Sequence, residues 1–250
     1  MRLVIKVGTS LIAPGGRIDT LRMRALVDQL DLANNEYLIV TSGAIASGMS
    51  NLGLAERPST VPRMQACAAV GQSLLMHTYE QLFFGKKVVA QLLLSSDDFT
   101  SPVRYKNLQN AMIELLKLGV VPIVNENDSV SVRELVGAFG DNDELSALLA
   151  TAVNADWLIL LTDVDGFYVP NGKRTKLLRT VRKFTPQMEE SCNGTSKLGT
   201  GGMRSKLRAA KVASEAGVHV AIVNGRHPRA IPGALERKIG TYFPPTVETR

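Results

Sequence analysis

Several classes of protein are excluded by what this sequence has little of. It contains two cysteines, Cys67 and Cys192, and three histidines, His77, His219 and His227. The cysteines lie far apart and the histidines lack the spacing of zinc ligands. We therefore expect reduced cysteines, no disulfide framework and no zinc site.

Long apolar runs are also missing. No run approaches the roughly 18 residues that a membrane-spanning helix requires. A strand pattern begins directly after Met1, where a signal peptide would have its apolar region. We therefore expect a cytoplasmic protein that has no membrane partner.

The familiar motifs of nucleophilic and nucleotide-binding enzymes are absent as well. The sequence has no Gly-x-Ser-x-Gly elbow, no cysteine-histidine arrangement and no P-loop pattern. This argues against acyl transfer through a nucleophilic side chain. Phosphoryl transfer stays open, because it needs mainly positioning and electrostatic stabilisation. A carboxylate acceptor, with an ordinary pKa near ~4.3, would be deprotonated at neutral pH and would require no general base.

What the sequence does contain is charge that is separated by sign. Residues 126–172 include nine acidic residues and one basic residue, whereas 173–238 include fifteen basic residues and four acidic ones. A basic block suggests RNA binding, but no RNA-binding module and no interleaved aromatic residues accompany it. We favour an enzyme that positions a polyphosphate and its metal, with no specific nucleic-acid partner, and keep an RNA-binding protein as the alternative.

Apolar strands alternate with amphipathic helices along the chain. Strands are predicted at 2–8, 37–40, 88–94, 120–124, 157–161 and 219–223. Helices are predicted at 20–33, 63–84, 105–118, 144–153 and 203–216, with Asp143 as a cap and Gly71 as a weak point. This alternation predicts an α/β fold, a three-layer α/β/α sandwich around a mainly parallel sheet.

Three segments depart from the alternation, and one strand contains a proline. Residues 51–62 are predicted to be exposed, 131–139 to form a β-ribbon, and 168–200 to be irregular apart from a strand at 179–181. Pro122 lies within the fourth strand. It predicts either an edge position or a position where no ladder donor is needed.

A glycine-rich turn runs directly into the helix predicted at 203–216. Gly199, Gly201 and Gly202 allow the backbone to approach an anion closely, and the first N–H groups of a helix point out of its start. Together with Lys206, the turn predicts a phosphate cradle at the positive end of the helix. An ordinary turn before a helix is the alternative.

Polar clusters stand at the carboxyl ends of the predicted strands. They are Gly8-Thr9-Ser10, Ser42-Gly43, residues 125–128, Thr162-Asp163 and Asn224-Gly225. Ligands of open α/β sheets bind outside the carboxyl ends of the strands. The clusters therefore predict a site along one edge of the sheet, within reach of Lys6 and Lys206. Ordinary turn chemistry explains any single cluster equally well.

Six motifs occur in an order that resembles the amino acid kinase family. They are Lys-x-Gly-Thr-Ser at 6–10, Val-Thr-Ser-Gly-Ala at 40–44, Asn-Glu-Asn-Asp at 125–128, Gly-Asp-Asn-Asp at 140–143, Leu-Leu-Thr-Asp-x-x-Gly at 160–166 and Gly-Thr-Gly-Gly-Met-x-x-Lys at 199–206. The second, third and fourth motifs are much more specific to the members that phosphorylate L-glutamate. The resemblance thus implies ATP-dependent phosphorylation of the glutamate side-chain carboxylate to L-glutamyl 5-phosphate, the first step of proline biosynthesis.

The resemblance also implies roles for individual residues. Lys6 and Lys206 would be catalytic, holding phosphates and neutralising the transferring group, and Asp143 would orient them. The glutamate site would comprise Ser42, Gly43, Asp128 and Asn142. The ATP site would comprise Lys6, Gly8, Thr162, Asp163, Thr200, Gly201, Gly202, Met203, Arg204, Ser205 and Lys206. Mg²⁺ is the implied metal, with Asp141, Asp143 and Asp163 as unranked candidates for contact.

At the level of the whole chain, the resemblance implies the amino acid kinase fold as a single domain at 1–250. An acceptor lobe would span 1–153 and a nucleotide lobe 154–250. Many glutamate-phosphorylating members continue into a C-terminal PUA domain, so we expect a short form without it. The expected partners are glutamate, ATP and proline as a feedback inhibitor, with a dimeric or tetrameric homo-oligomer and functional coupling to glutamyl phosphate reductase.

Two other functions remain open on the sequence. A related family member would act on N-acetylglutamate or a nucleoside monophosphate, and the acceptor loops distinguish these substrates. A non-catalytic amino-acid or nucleotide sensor would keep the fold without turnover. Against the sensor, both candidate lysines, Lys6 and Lys206, are present.

Overall fold

Strands and helices alternate along most of the chain. The computed structural model describes residues 1–95, 97–130, 142–171, 174–190 and 202–246. The strands are β1 (Arg2–Val7), β2 (Glu36–Thr41), β3 (Val89–Leu94), β4 (Val121–Glu126), β5 (Trp157–Thr162), β6 (Tyr168–Asn171), β7 (Arg174–Leu177), β8 (His219–Asn224) and β9 (Thr241–Phe243). The helices are α1 (Thr9–Ile12), α2 (Thr20–Val27), α3 (Ala44–Asn51), α4 (Val61–Phe83), α5 (Asp97–Thr100), α6 (Pro102–Lys117), α7 (Asn142–Ala152), α8 (Pro186–Glu190), α9 (Met203–Glu215) and α10 (Ala230–Leu235). None of these described helices has the length and apolar character to cross a membrane.

One sheet organises the described part of the chain. Its seven strands lie in the order β3-β4-β2-β1-β5-β8-β9. Neighbouring strands are parallel except for the antiparallel pair of β8 and β9. The first four strands of the chain therefore form one half of the sheet, and the two halves meet where β1 pairs with β5. Lys6 lies opposite Leu160 in this central pair.

Helices cover both faces of the sheet. Leu3 and Ile5 belong to a core that includes side chains of α2, α4 and α10, whereas Val4 belongs to a second core with α6, α7 and α9. Side chains along a strand point alternately to the two faces. Lys6 therefore lies on the same face as Val4, towards α7 and α9. The predicted three-layer α/β/α sandwich is confirmed.

Helices α3 and α4 approach each other more closely than side chains would allow. A Cβ atom on Gly48 would lie 1.8 Å from the carbonyl oxygen of Cys67, and one on Gly71 would lie 1.8 Å from that of Ala44. Only glycine fits at both positions. The sequence indicated a weak point at Gly71, but α4 continues through it, because the packing against α3 compensates for the low helix propensity of glycine.

Tertiary contacts decide several local predictions. For Pro122 the edge position is wrong, and the alternative, a position where no ladder donor is needed, is confirmed. Pro122 lies in an interior strand, since β4 stands between β3 and β2. The pairing with β2 comprises Ile123 and Val124, so Pro122 precedes it, at a position where β2 needs no ladder donor. The segment predicted to be irregular at 168–200 contains the antiparallel pair β6 and β7 and the helix α8. The strand predicted at 179–181 is an isolated bridge between Thr180 and Tyr242. Residues 191–200 fall outside the described residues. Helix α2 ends at Val27 and not near 33. The β-ribbon predicted at 131–139 falls outside the described residues.

Candidate active site at the carboxyl edge of the sheet

The polar clusters that follow the strands lie along one edge of the sheet. Strands β4, β2, β1, β5 and β8 are consecutive neighbours and parallel, so their carboxyl ends share an edge. These ends carry Gly8-Thr9-Ser10, Ser42-Gly43, residues 125–128, Thr162-Asp163 and Asn224-Gly225. The convergence that the sequence predicted is therefore present in the fold.

A buried carboxylate joins two lysines at this edge. Lys6 Nζ lies 2.8 Å from Asp143 Oδ1, and Lys206 Nζ lies 3.0 Å from Asp143 Oδ2. Asp143 has no exposed surface, and each lysine is only 6% exposed. One carboxylate thus holds two ammonium groups side by side, which leaves the group with one net positive charge that is shielded from water.

Three different elements bring these charges together. Lys6 comes from the central strand β1, on the face that packs against α7 and α9. Asp143 lies in the first turn of α7, and Lys206 lies in the first turn of α9. The prediction that Asp143 caps its helix is wrong, because Asp143 is inside the first turn and its carboxylate contacts the two lysines.

The charge of Asp143 depends on its two partners. Burial by itself raises the pKa of a carboxyl, because the charged form loses its hydration. The positive charges of Lys6 and Lys206 outweigh this effect and hold the pKa of Asp143 below its ordinary value. The carboxylate is therefore ionised at neutral pH, and it can keep both ammonium groups in position.

A network of side-chain amides lies beside the lysine pair. Asn142, directly before Asp143, donates from Nδ2 to Ser42 Oγ at 3.1 Å and to Asn125 Oδ1 at 3.0 Å. Asn125 donates from its own Nδ2 to Gln72 Oε1 at 2.9 Å. These four side chains come from the ends of β2 and β4 and from α4 and α7. All four are buried, and so is Asp128 at the end of β4.

Two atoms of this network are left over. Within the described part of the chain, Asn142 Oδ1 and Gln72 Nε2 are buried and have no hydrogen-bond partner. A buried polar atom without a partner costs about 1–3 kcal/mol. A ligand with one donor and one acceptor would remove this cost, so the network is able to bind a polar molecule.

Helix α4 supports this network in a way that the sequence did not indicate. Gln72 is part of it, and Tyr79 donates its hydroxyl to Thr41 Oγ1 at 3.0 Å, next to Ser42. Burial raises the pKa of Tyr79 to about 12, so the hydroxyl remains a donor. Gln72 was missed, although a glutamine on the buried stripe of a helix, three residues before Leu75, is a usable signal of a polar site.

The residues expected at the nucleotide lie on the other side of the lysine pair. A Cβ atom on Gly8 would lie 3.9 Å from Lys6 Nζ, so the backbone of Gly8 runs past that ammonium group. Gly202 is extended and precedes α9, whose first turn contains Met203, Arg204, Ser205 and Lys206. Thr162 and Asp163 lie at the end of β5. Thr200 and Gly201 lie outside the described residues.

Metal ligands are sparse in the described part of the chain. There, no three His, Cys, Asp or Glu side chains come together in a way that could hold a metal ion. Mg²⁺ commonly binds through one or two carboxylates together with phosphate oxygens of the substrate. Of the three candidates, Asp143 is engaged by two lysines, Asp163 is exposed at the end of β5, and Asp141 falls outside the described residues.

Comparison with known proteins identifies the family of the chain. The model of the amino acid kinase family matches residues 1–224. The chain belongs to the amino acid kinase family. A glutamate 5-kinase of Clostridium acetobutylicum is 46% identical, covering 98% of this chain and 94% of that relative. A glutamate 5-kinase of Myxococcus xanthus is 45% identical, covering 100% of this chain and 68% of that relative.

Two solved structures have the same fold as this chain. Carbamate kinase from Giardia lamblia bound to AMP-PNP has a TM-score of 0.67 at 20% identity and covers 97% of this chain and 98% of its own. UMP kinase from Bacillus anthracis has a TM-score of 0.64 at 15% identity and covers 98% and 96%. At such identities the likeness concerns the fold alone.

Proposed function

We propose that the chain transfers the γ-phosphoryl group of ATP to the side-chain carboxylate of L-glutamate, forming L-glutamyl 5-phosphate. The proposal is supported by the contact of Asp143 with Lys6 and Lys206. Asn142, the residue directly before Asp143, belongs to the amide network. A cationic centre for phosphate is thus directly beside a site for a polar acceptor. Relatives named glutamate 5-kinase, 46% and 45% identical over almost the whole chain, support glutamate as that acceptor.

On the donor side, the lysine pair and the start of α9 hold the phosphates. Lys6 and Lys206 contact oxygens of the transferring group, and Gly8 and Gly202 present backbone N–H groups to it. Thr162 and Asp163, with residues 200–206, form the rest of the ATP site. Mg²⁺ bound with ATP would neutralise further phosphate charge. Of the three candidate carboxylates, Asp163, exposed after β5, would hold it.

On the acceptor side, Ser42, Gly43, Asp128 and Asn142 bind glutamate. The buried carboxylate of Asp128 accepts from the α-ammonium group, and Asn142 Oδ1 takes a second N–H from the same group. The reacting carboxylate of glutamate then lies towards Asp143 and the lysines. The two halves of the sheet correspond to an acceptor lobe at 1–153 and a nucleotide lobe at 154–250 in this proposal.

The chemistry requires little beyond this placement. The glutamate side chain is already ionised at neutral pH, so its oxygen attacks the γ-phosphorus without a general base. Charge on the transferring phosphoryl oxygens is met by the buried ammonium groups of Lys6 and Lys206, which Asp143 keeps preorganised. The product would serve proline synthesis in the cytoplasm.

The direct test is a substrate panel. ADP release is measured with ATP and L-glutamate, N-acetyl-L-glutamate, L-aspartate or UMP as acceptor. We expect turnover with L-glutamate and a kcat/KM at least about 10²-fold lower with N-acetyl-L-glutamate, because the acetyl group removes the charged donors that Asp128 requires. Turnover confined to UMP or to N-acetyl-L-glutamate would contradict the proposal.

Asp128→Ala distinguishes the acceptor half from the donor half. We expect the KM for L-glutamate to rise about 10- to 100-fold, because a charge-assisted hydrogen bond of about 1.5–3 kcal/mol is lost. The KM for ATP should stay within about twofold, and steady-state kinetics with each substrate varied in turn measure both. Asp97→Ala, at an exposed position of α5, is the control. A larger rise in the KM for ATP would place Asp128 with the nucleotide.

A further inference from the structure

The orientation of every amide in the network follows from one backbone group. The N–H of Glu126 donates to Asn125 Oδ1 at 2.9 Å. A backbone N–H cannot accept, so the oxygen of the Asn125 amide must face it. Asn125 therefore presents its Nδ2 group to Gln72, and Gln72 must answer with Oε1. By the same reasoning, Asn142 presents Nδ2 to Asn125 Oδ1.

The hydrogen-bonded chain from Asn142 through Asn125 to Gln72, which we call the relay, has within the described residues an unpaired donor at one end and an unpaired acceptor at the other. Gln72 keeps a buried donor, Nε2, and Asn142 keeps a buried acceptor, Oδ1, and neither atom has a partner among the described residues. The Gln72 side chain cannot relieve its unpaired donor by flipping, because Nε2 would then face Nδ2 of Asn125. Gln72 is therefore committed to a ligand atom that accepts a hydrogen bond.

The position of Gln72 indicates which ligand atom this is. Gly71 brings the backbone of α4 against the carbonyl of Ala44, so Gln72 stands beside the loop that carries Ser42 and Gly43. The lysine pair is at the opposite end of the relay, since Asp143 follows Asn142 and Gln72 lies beyond Asn125. A glutamate whose side-chain carboxylate faces the lysines would turn its α-carboxylate towards Gln72.

We propose that Gln72 is a specificity-determining residue whose Nε2 donates to the α-carboxylate of the acceptor, in an orientation that Asn125 and the Glu126 N–H dictate. This inference rests on the proposed function, because it takes glutamate as the acceptor. In this role, the relay selects an acceptor that has a free α-carboxylate over one that has an uncharged group at the same position. Within the site, Asn142 accepts a hydrogen bond from the α-ammonium group, and Gln72 donates one to the α-carboxylate.

Gln72→Glu replaces the Nε2 donor with an oxygen that accepts hydrogen bonds, and it keeps the shape of the side chain. The new carboxylate still accepts from Asn125, so the relay survives, but it repels the α-carboxylate of glutamate and accepts from an amide. With L-glutamate and its α-amide as alternative acceptors, we expect the ratio of their kcat/KM values to fall by about 10²-fold or more. The KM for ATP should stay within about twofold. Lowering the pH from 8 to 6 should partly restore the KM for glutamate, because a protonated carboxyl donates again.

Two further variants keep the test decisive. Gln81→Glu places the same charge on an exposed position of α4 and should change neither ratio nor KM. Gln72→Met removes the donor without adding charge, and it should raise the KM for L-glutamate about tenfold while leaving that of the α-amide unchanged within about threefold. This variant serves if Gln72→Glu fails to fold.

These outcomes distinguish the role of Gln72 from the proposed function. A folded Gln72→Glu variant whose ratio stays within about threefold of the wild type, or a Gln72→Met variant that loses both acceptors equally, overturns the role of Gln72 alone. A wild-type protein that turns over no L-glutamate overturns the proposed function, and the role of Gln72 with it.

Discussion

Lys206→Met lowers the turnover of ATP and L-glutamate by about 10²-fold or more, with little change in the KM for glutamate. The ammonium group of Lys206 is buried and is held 3.0 Å from Asp143 Oδ2, in the first turn of α9. A preorganised charge in a water-excluded site acts mainly on the transition state, where loss of one such donor costs about 10²- to 10³-fold. Turnover and KM are measured by ADP release with each substrate varied.

The control for this variant is on the same helix. Lys211→Met removes a lysine from the exposed side of α9 and should leave turnover within about twofold. Lys206→Arg should give an intermediate rate, because it restores the charge but not the compact ammonium geometry. Unchanged turnover in a folded Lys206→Met protein would remove Lys206 from the mechanism, and an equal loss in the Lys211→Met protein would mean that the effect is not local.

Asp143→Asn damages both catalysis and stability. It removes the carboxylate charge that the buried ammonium groups of Lys6 and Lys206 share. Removing one partner of a buried ion pair costs about 3–5 kcal/mol, and the repelled lysines no longer keep their places at the phosphate. We expect the free energy of unfolding to fall by about 3 kcal/mol or more and turnover to fall by about 10²-fold or more. Urea unfolding and ADP release provide the two measurements.

The pH dependence of the stability difference gives an internal check. The pKa of Asp143 is lowered in the folded protein, so its ionisation stabilises the fold at all pH values above the unfolded pKa, near ~3.9. This contribution is lost as the pH falls through the folded pKa. The difference in unfolding free energy between the wild type and Asp143→Asn should therefore be constant from pH 7 to about 5 and shrink below about 4.

Glu215→Gln is the control for this variant. It neutralises an exposed carboxylate at the end of α9 and should change neither turnover nor the unfolding free energy by much. If Asp143→Asn were as stable as the wild type at pH 7, the two lysines would not depend on Asp143 for their placement. Its role in the proposed mechanism would then be wrong.

Much of the fold could be predicted because it depends on local pattern. The apolar runs of β1, β5 and β8 are typical of buried strands. The pattern of α9 is typical of an amphipathic helix. Their alternation also led to the parallel sheet, and with it to the shared edge where ligands bind. Pro122 shows the limit of such reasoning, because its tolerance depends on which residues of β2 pair with β4.

The candidate site could be predicted only in part from local sequence patterns. Lys6 stood out as a charge inside an apolar strand, and Lys206 as a lysine behind a glycine-rich turn, but spacing alone did not connect either with Asp143. The contribution of α4 was missed, because Gly71 indicated a weak helix when no partner was in view. Once α3 is seen against it, the same glycine becomes the reason that Gln72 reaches the loop of Ser42.

The sequence by itself determined the class of fold, the sheet edge that carries the polar clusters, and the family that the chain resembles. Only the tertiary structure decided which side chains act together. Lys206 meets Asp143 across 63 residues, and Asn142 meets Ser42 across 100. Periodicity and turn chemistry are properties of neighbours in sequence, whereas a shared charge or an oriented amide depends on groups that folding brings within about 3 Å. The lysine pair and the polarity of Gln72 are consequences of that packing.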